Sequence, residues 1–71
     1  MWVYQSEIGP LVIRRHEDGM YYFEYDEICW TGAETPAIVA DNVYCRATGC
    51  SAVSALSYLP MDLSEWEHHS E

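Results

Sequence analysis

The chain contains no lysine and only three arginines, against twelve aspartate and glutamate residues, which gives a formal net charge of −9 at pH 7. Proteins that hold the phosphates of nucleic acids do so mainly with lysine and arginine side chains. The composition therefore argues against direct binding to nucleic acid. It favours a macromolecular partner with a basic surface, because complementary charge speeds association.

Paired cysteines and long apolar runs are also missing. The cysteines are Cys29, Cys45 and Cys50, an odd number, whereas disulfide-stapled secreted domains of this size usually carry four, six or eight. Residues 1–7 lack the basic and apolar parts of an export signal. The longest uncharged stretch, 47–61, is shorter than the roughly 20 residues that span a bilayer. We therefore expect a cytoplasmic protein with reduced cysteines and no membrane contact, although pairing of Cys45 with Cys50 stays open.

No catalytic motif is recognisable in the sequence. The serines, cysteines and histidines do not form a nucleophile elbow, a phosphate loop or a metalloprotease helix. Glu24 and Asp26 could divide acid and base roles, as paired carboxylates do in glycosidases, but an exposed strand lacks the burial that would raise a carboxyl pKa. Cys45 and Cys50 are five residues apart, and Cys29, His16, His68 and His69 lie elsewhere in the chain, so a zinc site is conceivable. The spacing is weak evidence for it, because no second cysteine pair exists. We expect a noncatalytic protein without a cofactor or metal.

Length and charge distribution indicate one domain over residues 1–71. Hydrophobic residues make up 49% of the chain and charged residues 21%, which is typical of a globular protein. Residues 35–61 carry only two charged side chains, Asp41 and Arg46. This segment can be buried without stranding charges, so we expect it to cover the sheet.

The pattern over residues 11–25 predicts a β-hairpin, because two runs of β-branched and aromatic residues flank a turn. A three-residue loop at 17–19, with Gly19 left-handed, pairs Ile13 with Phe23. A two-residue turn would instead mix charged residues into both faces. In the preferred register the apolar side chains share one face, and the other face is polar.

The polar face of this hairpin holds Arg14 diagonal to Glu24, with Asp26 beside them. Residues 2–4 supply a third strand, which returns through a turn at 6–10.

Helices are expected in the second half of the chain. Thr35 followed by proline predicts a helix start, and Gly49 a stop, for a helix over 36–48. Residues 51–59 fit either a short helix or a strand, and a last short helix after Asp62 is expected to fray at 68–71. The predicted fold is α+β: a small three-stranded antiparallel sheet packed against one main helix, plus one or two short C-terminal helices.

The acidic side of the hairpin is the predicted binding surface. Two residues apart on a strand, Glu24 and Asp26 would place their carboxylates about 6.6 Å apart, roughly twice the axial spacing of phosphates on one DNA strand. Glu27 extends this charge, and Tyr22 and Trp30 are aromatic anchors of the kind enriched at interfaces. The expected partner is a basic protein surface, such as a groove that normally holds nucleic acid.

In size, acidity, aromatic content and lack of catalytic motifs, the chain resembles phage-borne inhibitors of restriction or CRISPR systems, some of which mimic DNA. The resemblance is compositional and assigns no residue roles. It implies a noncatalytic inhibitor that occupies a basic groove. Two alternatives stay open: a structural module that forms a homodimer through 35–61, and a metal-binding protein that uses cysteine and histidine.

Overall fold

The computed structural model of the chain describes residues 1–70 and shows an antiparallel sheet with helices packed on one face. In chain order the elements are β1 (Trp2–Ser6), β2 (Gly9–Arg15), β3 (Tyr21–Tyr25), β4 (Ile28–Ala33), α1 (Pro36–Tyr44), α2 (Ser51–Ser54), a 3-10 turn (Leu63–Glu65) and β5 (Glu67–His68). The strand order is β4-β3-β2-β1-β5. None of the helices in the described part of the chain is long and apolar enough to cross a bilayer.

The α+β class holds, but the prediction of a three-stranded sheet is wrong because the sheet has five strands. One additional strand, β4, follows a two-residue turn in which Asp26 and Glu27 have positive φ values of 55° and 63°. Positive φ at both positions is the pattern of a type I′ turn, which usually carries asparagine and glycine. Two acidic residues at these positions give no recognisable turn signal, so β4 was not expected.

The other additional strand, β5, forms where the sequence suggested a fraying helix. Trp2 and Val3 of β1 pair with His68 and Glu67, and the His69 N–H donates to the Met1 carbonyl at 2.7 Å. Without β5, this side of β1 would be an open sheet edge. The pairing joins the two ends of the chain, which local sequence patterns do not reveal. Residue 71, also part of that expectation, lies outside the described residues.

The predicted register of the β2–β3 hairpin is confirmed. Ile13 lies opposite Phe23, and the His16 N–H donates to the Met20 carbonyl at 2.9 Å to close a three-residue loop. Gly19 has a φ of 83°, the left-handed conformation that ends the loop. The third predicted strand is present as β1, which pairs with β2.

The predicted helix start is confirmed, but the predicted end is wrong. The Thr35 hydroxyl accepts a hydrogen bond from the Ile38 N–H at 3.3 Å, whereas α1 ends at Tyr44 instead of continuing to residue 48. The Arg46 and Ala47 N–H groups donate to the carbonyls of Val43 and Asn42. This is the Schellman pattern, with Arg46 at φ 58° in the position that glycine usually holds. Gly49 was expected there because only glycine gives a clear sequence signal.

The C-terminal third is less helical than expected. Of residues 51–59, only Ser51–Ser54 are helical, and the chain then continues without regular structure. Asp62 caps a single 3-10 turn by accepting from the Ser64 N–H at 2.9 Å. Leu56 and Leu59 are buried in this irregular stretch, so packing holds it in place without helical hydrogen bonds.

The core lies between the sheet and the segment 35–61, as predicted from the low charge of that segment. Leu11, Ile13 and Phe23 contribute the sheet side. The buried apolar side chains from the covering segment are Val39, Ala40, Val43, Cys50, Val53, Leu56 and Leu59. Burial of the hairpin's apolar face leaves its other face, with Arg14 and Glu24, outside the core.

Candidate functional site

The face of the sheet opposite the helices carries a group of polar side chains that we call the outer-face cluster. It is formed by Arg14, His16, Tyr22, Glu24 and Cys29. Arg14 pairs with Tyr22 between β2 and β3, and Glu24 pairs with Cys29 between β3 and β4. Directly paired residues point to the same side of a sheet. The antiparallel register therefore brings these side chains together.

Glu24 is at the centre of this cluster. Its Oε1 lies 3.4 Å from Nη2 of Arg14, and its Oε2 lies 2.6 Å from Nε2 of His16. Only 18% of the Glu24 side chain is exposed. The carboxylate is therefore held between two basic groups instead of projecting into solvent.

Cys29 completes the cluster from β4. Its Sγ lies 3.8 Å from the same Nε2 of His16 that contacts Glu24. Desolvation at the sheet surface and the negative charge of Glu24 raise the pKa of the Cys29 thiol. The thiol is therefore protonated at neutral pH and is a poor nucleophile by itself.

Tyr22 fixes the position of the His16 ring. The two ring centroids are 4.5 Å apart, and the Tyr22 hydroxyl donates to Oδ2 of Asp18 at 2.6 Å. This hydrogen bond lowers the pKa of Asp18 and raises the pKa of Tyr22. Gly32 lies opposite Tyr22 on β4, and the absence of a side chain there gives the ring room to lie on the sheet.

A second surface lies at the end of the sheet where the β1–β2 and β3–β4 turns meet. The Tyr25 hydroxyl donates to the Ile8 carbonyl at 3.1 Å and so connects the two turns. A cavity of about 370 Å³ opens beside them, lined on one side by Asp26 and Glu27. Its apolar lining includes Pro10, and Arg14 and Glu24 also line it, so the cavity borders the outer-face cluster.

No protein-family model matches the sequence, and neither a curated protein nor a solved structure matches the chain. Function therefore has to be inferred from side-chain geometry and charge.

The predicted contact residues fall into three places. Tyr22 and Glu24 belong to the outer-face cluster, whereas Asp26 and Glu27 are exposed in the β3–β4 turn. Trp30 is half-buried and packs against the core, on the other side of the sheet. Tyr22 and Glu24 thus lie on one surface and Asp26 and Glu27 on the adjoining one, whereas Trp30 lies on neither.

The predicted row of negative charge along β3 is not formed. Glu24 shares its carboxylate with Arg14 and His16, and Asp26 lies in the turn beyond the strand. Only Asp26, of the two carboxylates expected in that row, is free to meet a partner's cation. The acidic surface is consequently the end of the sheet and not its polar face.

His16 and Cys29 are the residues that sequence reasoning did not bring together. Cys29 faces Glu24 only because the turn before β4 has two residues, which pairs Tyr25 with Ile28. The apolar run that begins at Ile28 was the available signal, since β-branched and aromatic residues favour a strand there.

The remaining cysteines do not join the cluster. Cys45 is exposed, Cys50 is buried in the core, and both are free. Cys45 and Cys50 are not bonded to each other in this structure.

Proposed function

We propose that the protein is a noncatalytic binding module that attaches to a basic surface of another protein through the end of its sheet. This end carries Glu7 in the β1–β2 turn and Asp26 and Glu27 in the β3–β4 turn. All three are exposed, and within residues 1–70 none of them forms an ion pair or a side-chain hydrogen bond. Unneutralised charge at one end of a rigid sheet supports attraction of a positive partner.

The cavity beside these turns supplies the apolar part of the proposed interface. Ile8, Pro10, Val12 and Tyr25 line it together with the acidic turn and with the paired side chains of Arg14 and Glu24. Lysine and arginine side chains have long apolar stems that pack on such a surface while their charged ends meet carboxylates. A basic segment of a partner protein therefore fits both the charge and the shape of this end.

The backbone of the β3–β4 turn gives separate support. Asp26 and Glu27 both occupy the left-handed region, which aspartate tolerates but which costs roughly 1–2 kcal/mol for a residue such as glutamate. Asparagine followed by glycine would form this turn with less strain. A glutamate at position 27, where it costs stability, supports a role for its charge.

More specifically, we propose that the partner surface is a groove that normally holds nucleic acid. A phage-type inhibitor that mimics DNA would bind in this way. The support for this proposal is the net charge of −9 together with the lack of lysine. We further propose a cytoplasmic location, which the free Cys29, Cys45 and Cys50 support, because thiols persist in reducing compartments.

The test compares two triple variants that remove the same amount of charge. The variant at the proposed surface is Glu7→Gln, Asp26→Asn and Glu27→Gln. The matched control, at exposed acids elsewhere, is Glu17→Gln, Glu34→Gln and Asp41→Asn. Association with an immobilised arginine-rich peptide is measured at low and high salt, with duplex DNA added as a competitor for the peptide.

We expect the surface variant to associate at least about tenfold more slowly at low salt, and the control variant to change far less. High salt should reduce the difference, because it screens exposed charge. Equal slowing in both variants would contradict the proposal, since it would show that only net charge matters. If the partner surface is a groove that normally holds nucleic acid, duplex DNA must release a partner that the wild-type chain has captured.

A specific observation also favours the homodimer. Tyr44, Tyr58 and Met61 are exposed and line one cavity of about 500 Å³ in the second half of the chain. Sedimentation at several protein concentrations tests this, and Met61→Glu should shift a dimer toward the monomer. A wild-type chain that is monomeric at every concentration would exclude this alternative.

A further inference from the structure

The outer-face cluster brings together three side chains of the types that bind transition metals. One atom each from His16, Glu24 and Cys29 can be chosen so that all three lie within 4.8 Å of one another. The three residues come from the β2–β3 loop, β3 and β4, and the sheet register holds them in place. We propose that His16, Glu24 and Cys29 form a binding site for a divalent transition metal of the zinc type.

The observed distances are close to those that a bound ion requires. Zinc bonds of about 2.0–2.3 Å at tetrahedral angles place a nitrogen about 3.4 Å from a carboxylate oxygen and about 3.6 Å from a sulfur. Nε2 of His16 lies 2.6 Å from Oε2 of Glu24 and 3.8 Å from Sγ of Cys29. The Cys29 sulfur is therefore already close to the distance from His16 that a shared zinc ion requires. The carboxylate has to move back by about 0.8 Å, which rotation of the Glu24 side chain permits.

The set of donor atoms selects the kind of metal. Magnesium and calcium prefer sites made only of oxygen, whereas imidazole and thiolate favour zinc and its neighbours in the transition series. One nitrogen, one oxygen and one sulfur ligand therefore predict zinc over magnesium. Cys29 is exposed, so a water molecule from solvent has access to the fourth position.

Residues around the three ligands hold them in position. Arg14 contacts Oε1 of Glu24, which leaves Oε2 directed at His16. The Tyr22 ring packs on the His16 ring and is itself held by Asp18. Such outer partners orient metal ligands in known sites. The positive charge of Arg14 opposes a dication, so the site is expected to bind more weakly than a closed structural zinc site.

This proposal does not rest on the acidic-surface function. It also differs from the expected cysteine and histidine metal protein, whose fold depended on the ion. The core lies on the other face of the sheet and is packed without the cluster. A chelator should therefore release the metal while the far-ultraviolet circular dichroism of the chain stays unchanged.

The first experiment uses the wild-type chain, which avoids any question of whether a variant folds. Reduced protein is alkylated with iodoacetamide with and without zinc, and the rate at each cysteine is followed by peptide mass spectrometry. Cys29 and Cys45 are both exposed, so Cys45 is an internal control. We expect zinc to slow alkylation of Cys29 at least about tenfold and to leave Cys45 unchanged. Equal rates at Cys29 with and without zinc, or equal protection of both cysteines, would overturn the proposal.

The second experiment identifies the other ligands with cobalt as a spectroscopic substitute for zinc. The wild-type chain should show a sulfur-to-cobalt charge-transfer band and bind one equivalent of zinc by calorimetry. Cys29→Ser should abolish the band, and His16→Gln and Glu24→Gln should each weaken zinc binding at least about tenfold. The controls Cys45→Ser and His68→Gln should bind as the wild type does. A band that persists in Cys29→Ser, or one that disappears in Cys45→Ser, would contradict the assignment.

Discussion

The ring of Tyr22 lies directly over Gly32 on the neighbouring strand. A Cβ atom placed on Gly32 would come within 2.5 Å of Cε2 and 2.7 Å of Cδ2 of that ring. The same ring contacts His16 and donates its hydroxyl to Asp18. Gly32 is therefore part of the support of the outer-face cluster, although it contributes no side chain to it.

Gly32→Ala should destabilise the protein by about 1–3 kcal/mol, because the new methyl group displaces the Tyr22 ring. Inside a strand alanine normally stabilises a protein at least as well as glycine does, so a loss of stability here must come from the clash with the Tyr22 ring. Chemical denaturation of the single variants and the double variant with Tyr22→Ala measures the coupling. In the Tyr22→Ala background Gly32→Ala should be neutral or stabilising, and the same loss in both backgrounds would exclude the steric explanation.

Arg46→Lys should lower the free energy of unfolding by about 1–2 kcal/mol. The Arg46 guanidinium donates to the carbonyls of Leu56 at 2.8 Å and of Ser54 and Tyr44 at 3.3 Å each, which connects the ends of α1 and α2. Lysine keeps the charge but lacks the planar fork that reaches these carbonyls together. Urea unfolding measures the loss.

Arg15→Lys is the matched control, because Arg15 makes no side-chain hydrogen bond or ion pair within residues 1–70. Its effect should stay within about 0.5 kcal/mol. An equal loss in both variants would show that the three carbonyl contacts of Arg46 contribute nothing to stability.

Tyr58 and Glu65 should give the protein a dependence on alkaline pH. The hydrogen bond from the Tyr58 hydroxyl to Glu65 raises the pKa of Tyr58 to about 12. The folded state thus favours the protonated phenol. The contribution of this hydrogen bond to stability is complete below the ordinary Tyr58 pKa of 10 and is lost as the pH rises to about 12. The ring signals of Tyr58 followed by nuclear magnetic resonance during an alkaline titration report this pKa.

Glu65→Gln should return the pKa of Tyr58 toward 10, since it removes the charged acceptor. Glu67→Gln is the control and should leave it unchanged. At acid pH the dependence has the opposite direction, because the hydrogen bond from Tyr58 lowers the pKa of Glu65 from its usual 4.5. The stability that the ionised Glu65 contributes is present above pH 4.5 and is lost as the pH falls. An unchanged Tyr58 pKa in Glu65→Gln would show that this hydrogen bond does not raise the Tyr58 pKa.

Replacement of the β3–β4 turn by Asp26→Asn with Glu27→Gly should stabilise the fold by about 0.5–1 kcal/mol. Both positions have positive φ, and glycine removes the strain of Glu27 at some cost in chain entropy. The shift of the urea midpoint measures this gain. The control Glu17→Gly with Glu34→Asn removes the same charge at positions without positive φ, and should not stabilise. Equal stabilisation by the control would assign the effect to relief of charge repulsion.

The hairpin and the candidate site differ in how far local patterns could predict them. Ile13 opposite Phe23 was predictable, because only one register separates apolar from charged side chains around a turn that ends in Gly19. The pairing of Glu24 with Cys29 was not predictable in the same way, since it depends on left-handed Asp26 and Glu27. The metal ligands therefore came together only once β4 was known.

The end of α1 shows the same limit. Gly49 looked like the stop because glycine adopts positive φ without strain. Arg46 takes that conformation instead, and its side chain is held by three carbonyls that lie 2, 8 and 10 residues away along the chain. The hydrogen bonds to Ser54 and Leu56, which lie beyond the helix, thus stabilise a conformation that local preference disfavours.

Taken alone, the order of amino acids determined the class of the fold, the register of the first hairpin, the start of the main helix and the segment that covers the sheet. These features follow from hydrophobic periodicity, capping and charge, which act between residues close together in the chain. Tertiary structure alone decided the two additional strands and the meeting of Cys29 with His16 and Glu24. The reason is that these contacts join residues whose proximity depends on strand pairing and packing, and local patterns do not encode that proximity.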